Sequence, residues 1–370
     1  MIFGHYIEDI NQEPLSIGNL VYPGKLMGLT SYGEVIEEWV PHFTEFYKSG
    51  PNGNTYEELL NELGNNIGVT FDVSKRLSGK LSCDISKTSQ HVFEQCFFEI
   101  SDKYVEKYPD LPICVTGGCG LNIILNTKIK ERYGVEVFVG PNPNDCGLSS
   151  GMLLDQIKPS SPIDLTYSGT ELLDKNLIPR KIENFPTHLQ VQDLDLEDIV
   201  DFLIQGDIMG VVRGRSEHGP RALGNRSIIC NPLIEGMKDT LNHKVKNREY
   251  FRPFSPIVRL EDVSEYFNWE GESRWMSFCP TVREEYREKI PSVVHVDGTC
   301  RVQTVTREQN ELMYSLLTRF KEKTGIGVLL NTSFNVSGKP IVSSVEDCFE
   351  VLEKTEMDSL LIEELFIRKR

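Results

Sequence analysis

Apolar side chains recur at helical spacing through residues 86–107, where Val92, Phe93, Cys96, Phe97 and Ile100 share one face, and this predicts a helix. Ile113–Thr116 then predicts a short buried strand, Gly117–Gly120 a tight turn and Leu121–Glu131 a second helix. Val135–Val139 predicts another strand, and a further helix is expected from Asp145 to Leu154. Residues 158–190 are rich in Pro, Ser and Thr with weak periodicity and read as a connection between domains. Periodicity then returns as helix Ile199–Ile204, strand Ile208–Arg213 and strand Gly327–Leu330. A helix around Cys348–Leu352 opens with Ser344-x-x-Asp347, the pattern of a capping box. Residues 50–54 predict a turn-rich loop, and no internal repeat is present. Strand and helix alternate on both sides of the connection, so the expected class is α/β in two domains.

Length and composition narrow the setting. A chain of 370 residues suits two domains, each with its own core. No apolar run approaches the roughly 18 residues of a membrane span, and no basic-then-apolar leader opens the chain, so neither membrane nor export is expected. A net charge of −16 argues against a broad nucleic-acid surface. It also makes any cluster of cations informative. The nine cysteines are odd in number and form no Cys-x-x-Cys pair, which points away from a zinc knuckle or a disulfide framework. A reducing cytoplasm is the expected compartment.

Three stretches carry candidate chemistry. The first, Gly214-Arg215-Ser216-Glu217-His218-Gly219-Pro220-Arg221-Ala222-Leu223-Gly224-Asn225-Arg226-Ser227, sets three arginines in a glycine-rich loop after a strand. Glycines let backbone N–H groups approach oxygens, and the guanidinium fork matches phosphate or carboxylate; a solvated basic loop would have the same composition. The second, Lys246-Asn247-Arg248-Glu249-Tyr250-Phe251-Arg252-Pro253-Phe254, holds three cations, and taken alone suits an ion-paired helix face equally well. The third, Leu330-Asn331-Thr332-Ser333-Phe334-Asn335, is a buried strand ending in amides and hydroxyls, where α/β sheets bind ligands and where ordinary turns also form. In the first half, Gly117-Gly118-Cys119-Gly120 before a helix, with Asn122 in its first turn, has the form of a phosphate-cradling loop. Asp145 suits a helix N-cap or a metal ligand. The seven histidines are dispersed, and His218 stands out only for lying in the arginine loop. A P-loop is not present.

Taken in order, Gly24-Lys25-Leu26-Met27-Gly28-Leu29, Gly117-Gly118-x-x-Leu121-Asn122, Asn144-Asp145-x-Gly147, the arginine loop, Lys246-x-Arg248-x-x-x-Arg252-Pro253-Phe254 and Leu330–Asn335 resemble the O-carbamoyltransferases of the nodulation protein NodU and the cephalosporin and aminoglycoside carbamoyltransferases. The resemblance implies the C-terminal part of an actin/Hsp70-like (ASKHA) domain over residues 1–157, the connection at 158–190, and a YrdC-like α/β domain over 191–370. It implies that Arg221, Lys246, Arg252, Arg301 and Ser333 surround carbamoyl phosphate and the ATP phosphates as the catalytic set. Arg248, Asn331, Asn335, Gly117, Gly118, Asn122 and Lys25 would bind the nucleotide. Carbamoyl-adenylate would form with ATP and Mg²⁺, and an acceptor hydroxyl on a small molecule would take the carbamoyl group. The family's Gly-Lys-Leu-Met-Gly-Leu motif follows a longer region with a metal-binding histidine pair. Here the motif begins at Gly24, so the N-terminal metal-binding lobe is expected to be lacking. A partner polypeptide is expected to supply it, sharing Fe²⁺ or another divalent metal with Asp145. A threonylcarbamoyl-adenylate synthase-like enzyme and a non-catalytic nucleotide-binding subunit are the alternative readings.

Overall fold

The computed structural model describes residues 2–10, 22–49 and 55–369, so the turn expected at 50–54 lies outside the described residues. The chain forms two compact units, one of residues 1–113, 128–137 and 295–297, the other of 114–127, 138–294 and 298–370.

The first unit is helical. Helix Tyr56–Ile67 opens with a capping box between Thr55 and Glu58 and stops at Gly68 in the left-handed conformation. The helix expected over 86–107 begins earlier, at Lys80, and runs to Lys107. Its first turns escape an apolar periodicity because they bury polar side chains, among them Ser82, Asp84 and Thr88. These are satisfied by the chain crossing them: Glu34 N donates to Asp84 Oδ1 at 2.8 Å and Ile36 N to Thr88 Oγ1 at 3.0 Å. The two expected strands shorten to β1 (Ile113–Cys114) and β2 (Val137–Phe138), which pair with each other.

The second unit is built on an eight-stranded mixed sheet of β3 (Leu189–Asp193), β4 (Met209–Val212), β5 (Arg226–Cys230), β6 (Ser255–Arg259), β7 (Gln303–Val305), β8 (Val328–Ser333), β9 (Ser359–Ile362) and β10 (Leu365–Lys369). The order is β3-β10-β9-β4-β5-β8-β6-β7, and only β4–β9 and β6–β7 are parallel. Helix Leu196–Gln205 is capped by Asp195, which accepts from Glu197 N and Asp198 N, and ends at left-handed Gly206. Helix Glu311–Thr324 is capped by Asn310 and ends at Gly325. Ile199, Val200 and Leu203 of the first and Leu316, Leu317 and Phe320 of the second pack with Val211, Ile229, Ile257, Leu329 and Leu361 in one core. Each such side chain contributes about 1.5–3 kcal/mol by leaving water. Truncating one, as in Leu317→Ala, would cost about 2–5 kcal/mol.

The sheet register decides where the site falls. In the antiparallel pair β5–β8, Ser227 lies opposite Ser333, so the start of β5 meets the end of β8. In β6–β8, Ser255 lies opposite Asn331, which brings the start of β6 to the same place. β7 runs parallel to β6, so its start is there too. The loops before β5, β6 and β7 and the loop after β8 therefore meet at one end of the sheet.

Residues 164–174, expected within a connection, pack inside this unit. Ser216 N donates to Thr170 O at 2.9 Å, His218 N to Thr166 O at 2.8 Å, and Val345 N to Asp174 Oδ1 at 2.9 Å. A Ser/Thr-rich composition reads as linker, but here its carbonyls and carboxylates satisfy the arginine loop and a helix start.

Candidate functional site

The loops before β5, β6 and β7 each deliver a cation, and the loop after β8 supplies Ser333 and Asn335. Lys246, 3% exposed, donates to Ser333 O, to Ser333 Oγ at 3.2 Å, to Asn335 O at 3.0 Å and to Asn335 Oδ1 at 2.7 Å. The Lys-x-Arg and Ser-x-Asn segments thus meet directly. Arg248 stacks on Phe254, 4.1 Å from the ring centroid, and donates to Asn242 Oδ1 at 2.8 Å and Pro253 O at 3.3 Å. Arg301 donates to Ser255 Oγ at 2.9 Å. Arg221 has no hydrogen-bond or ion-pair partner among the described residues and lines a small recess with Gly120, Pro141 and Trp275. Among the described residues Glu249 is the one carboxylate that pairs with any of these cations, reaching Arg252 at 3.5 Å.

The electrostatic consequence is consistent across the cluster. Burial, then Arg252, presses the Arg221 guanidinium down to about 10. Burial and Arg252 press Arg248 down to about 9. Lys246 is held well below the usual ammonium range by burial and by Arg248 and Arg252. Arg301 is likewise held well below its usual value by burial and by Arg221, Arg248 and Arg252. Five like charges with one acidic partner among the described residues are unfavourable by themselves; an anion carrying several charges would remove the penalty.

Three further side chains hold the cluster, and of these Gln303 carried no sequence signal. Glu217 Oε1 accepts from Leu223 N at 2.6 Å, Asn225 N at 2.8 Å and Arg226 N at 3.3 Å, folding the arginine loop around one carboxylate. Gln303 donates to Leu223 O at 2.9 Å and accepts from Asn331 Nδ2 at 2.6 Å. Asn331 is fully buried and also donates to Ala222 O at 3.2 Å, so the structure places it behind the loop as a brace. The three arginines of the loop separate by role. Arg226, 1% exposed, donates to the carbonyls of Arg213, Thr170, Gly214 and Asn225 and is structural. Arg215 donates to Ser168 O at 2.9 Å, and only Arg221 faces the other cations.

The glycine turn lies in the same unit. Gly117 adopts φ +84° and donates to Pro143 O at 2.7 Å; Gly118 opens the short 3-10 turn Gly118–Leu121. Asn122 Oδ1 accepts from Leu125 N at 3.0 Å, capping the helix that follows. Gly219 joins this turn region to the arginine loop, since a Cβ there would lie 2.4 Å from Pro141 O and φ is +142°. His218 Nε2 and Ser150 Oγ are 2.7 Å apart. Asp145 begins a 3-10 turn and is exposed. No group of three or more His, Cys, Asp or Glu able to hold a metal occurs among the described residues. Lys25 belongs to the first unit, where it donates to Ile10 O at 3.1 Å. No helix among the described residues is long and apolar enough to cross a membrane.

The second unit thus gathers five cations at one sheet end, with Glu249 as their one carboxylate partner among the described residues. Comparison with known proteins gives the family. The family model of the carbamoyltransferase C-terminus matches residues 200–369, and that of the carbamoyltransferase N-terminus matches residues 1–153. Between them they take in most of the chain, which belongs to the carbamoyltransferase family. Nodulation protein NolNO of Sinorhizobium fredii is 33% identical over 94% of this chain and 53% of its own length. Nodulation protein NolO of Bradyrhizobium diazoefficiens is 33% identical over 94% of this chain and 65% of its own. The 3'-hydroxymethylcephem-O-carbamoyltransferase of Streptomyces clavuligerus is 31% identical over 94% of this chain and 64% of its own. The chain thus spans between about half and two thirds of the length of these relatives. Full-length HypF in its phosphate- and nucleotide-bound form aligns with 49% of this chain and 22% of its own at 17% identity, with a TM-score of 0.31, too low to inform the fold.

The match over residues 1–153 corrects two expectations. The chain does not lack the family's N-terminal region, and the expected partner polypeptide that was to supply it is withdrawn. The expectation relied on the position of one short motif at Gly24. The helices that follow hold the first unit together by burial and capping, which many side-chain combinations achieve, so they left no motif to read.

Proposed function

We propose that this chain is an ATP-dependent O-carbamoyltransferase that forms carbamoyl-adenylate and passes the carbamoyl group to a hydroxyl of a small molecule. The observation that carries the reading is the cluster of Arg221, Lys246, Arg248, Arg252 and Arg301 with Glu249 as its one acidic partner among the described residues. Carbamoyl phosphate and the ATP triphosphate together supply the negative charge that such a set lacks. In the first step water releases inorganic phosphate from carbamoyl phosphate, leaving carbamate. A carbamate oxygen then attacks the α-phosphorus of ATP, and pyrophosphate departs. The guanidinium groups and the Lys246 ammonium would orient the two phosphate chains and stabilise charge on the transferring phosphorus. Ser333 and Asn335 would keep Lys246 aimed.

The YrdC-like reading of the second half, and the ASKHA-like reading of the first with the glycine turn at Gly117 and Gly118 as the acceptor side, belong to this proposal. The relative from Streptomyces clavuligerus is an O-carbamoyltransferase, which supports transfer to a hydroxyl here. Mg²⁺ would accompany ATP as its counter-ion.

The test is pyrophosphate release from ATP and carbamoyl phosphate by the purified chain, with Arg301→Ala as control. Release that depends on carbamoyl phosphate and disappears in the variant is the expected result. A folded chain that binds ATP yet releases no pyrophosphate under these conditions would refute adenylate formation. Release that requires threonine and bicarbonate would transfer the assignment to the threonylcarbamoyl-adenylate type.

A further inference from the structure

Residues Asn242–Lys246 form a π-turn, and Asn247 follows it with φ +43° and ψ +60°. This reversal of hand lets Arg248 fold back so that its Nε meets Asn242 Oδ1 at 2.8 Å. Arginine is only a donor, so the amide atom facing it is the oxygen and the other is the NH₂ group. Asn242 is 3% exposed, and that Nδ2 is buried without a partner. A buried amide donor left unpaired is costly, and an incoming acceptor would remove that cost.

We propose that Asn242 is a ligand-binding residue whose Nδ2 donates to an anionic oxygen of the nucleotide phosphates, while its Oδ1 holds Arg248 for the same group. The inference rests on the cation cluster being a nucleotide-phosphate site and adds a neutral donor to it. One amide then does two jobs: it fixes the guanidinium by its oxygen and completes the anion's coordination by its nitrogen. Nothing in the sequence marks this residue, which sits outside the Lys-x-Arg segment.

The experiment is calorimetric titration of ATP into the full chain and two variants, with thermal melts of each in the absence of nucleotide. Asn242→Ala is expected to bind ATP about tenfold more weakly or worse, the usual worth of a hydrogen bond to a charged group. Asn242→Asp keeps an acceptor for Arg248 and removes the donor. It should melt no lower than the wild type without ATP and still bind ATP more weakly. Wild-type ATP affinity in Asn242→Ala overturns the proposal. If the wild-type chain itself binds no ATP, the reading of the cluster falls, and this inference falls with it.

Discussion

Replacing Arg221 by Met should stabilise the ligand-free protein and weaken its grip on ATP. The side chain has no hydrogen-bond or ion-pair partner among the described residues, and the charge that acts on it is another cation, Arg252. Its value of about 10, well below the usual guanidinium range, corresponds to about 3 kcal/mol borne by the folded state. The sign follows from linkage: a cation whose pKa falls on folding destabilises the native state at every pH below the folded value. The penalty is therefore fully present at neutral pH and fades only as pH rises through about 10. Arg221 is partly exposed, and solvent screening reduces the usable figure to about 1–3 kcal/mol. Methionine is of similar reach and would lie against Leu121, Ile123 and Trp275. The melting temperature should rise by about 2–10 °C, measured by differential scanning calorimetry without ligand. Affinity for ATP, measured by titration calorimetry, should fall tenfold or more, about the worth of a charge-assisted hydrogen bond. The opposite signs are the diagnostic feature. A variant that melts below the wild type while binding ATP normally would show that Arg221 is a structural cation and that the charge argument is wrong.

Three further outcomes follow from the same geometry. Glu217→Ala leaves three backbone N–H groups of the arginine loop without their acceptor and should cost about 1–3 kcal/mol, with faster amide exchange at Leu223, Asn225 and Arg226; unchanged exchange there would remove Glu217 from its bracing role. Gly219→Ala places a Cβ 2.4 Å from the Pro141 carbonyl at a backbone angle that favours glycine, so thermal melts should show a loss of stability, and carbamoyl-phosphate-dependent pyrophosphate release should drop with it. Glu350, held down to about 2 by hydrogen bonds from Lys339 and Lys354, contributes stability above its ordinary value near 4.5 that is lost as pH falls toward 2. Glu350→Gln should accordingly narrow the gap between melts at pH 6 and pH 3, and an unchanged gap would show the exposed pairs to be inert.

What the sequence determined by itself was local, because local rules depend on neighbours a few positions away. The Ser344–Asp347 capping box, the helix after Asp195 and the buried strand ending at Ser333 follow from periodicity and capping chemistry. The family followed from short motifs that occur in a set order along the chain. The first unit was less legible: the first turns of the helix from Lys80 hide a polar face satisfied by the chain near Glu34, and no apolar spacing marks them. The division of labour among the cations was decided only by tertiary structure. Arg221 and Arg226 are equivalent in a glycine-rich run, yet antiparallel pairing buries one among carbonyls and leaves the other facing Arg252. The same pairing brings Ser255 and Ser333 to one sheet end and turns Glu217, Gln303 and Asn331 into braces. A hydrogen bond across 28 positions, as between Gln303 and Asn331, exists only once the sheet register has fixed which residues are neighbours.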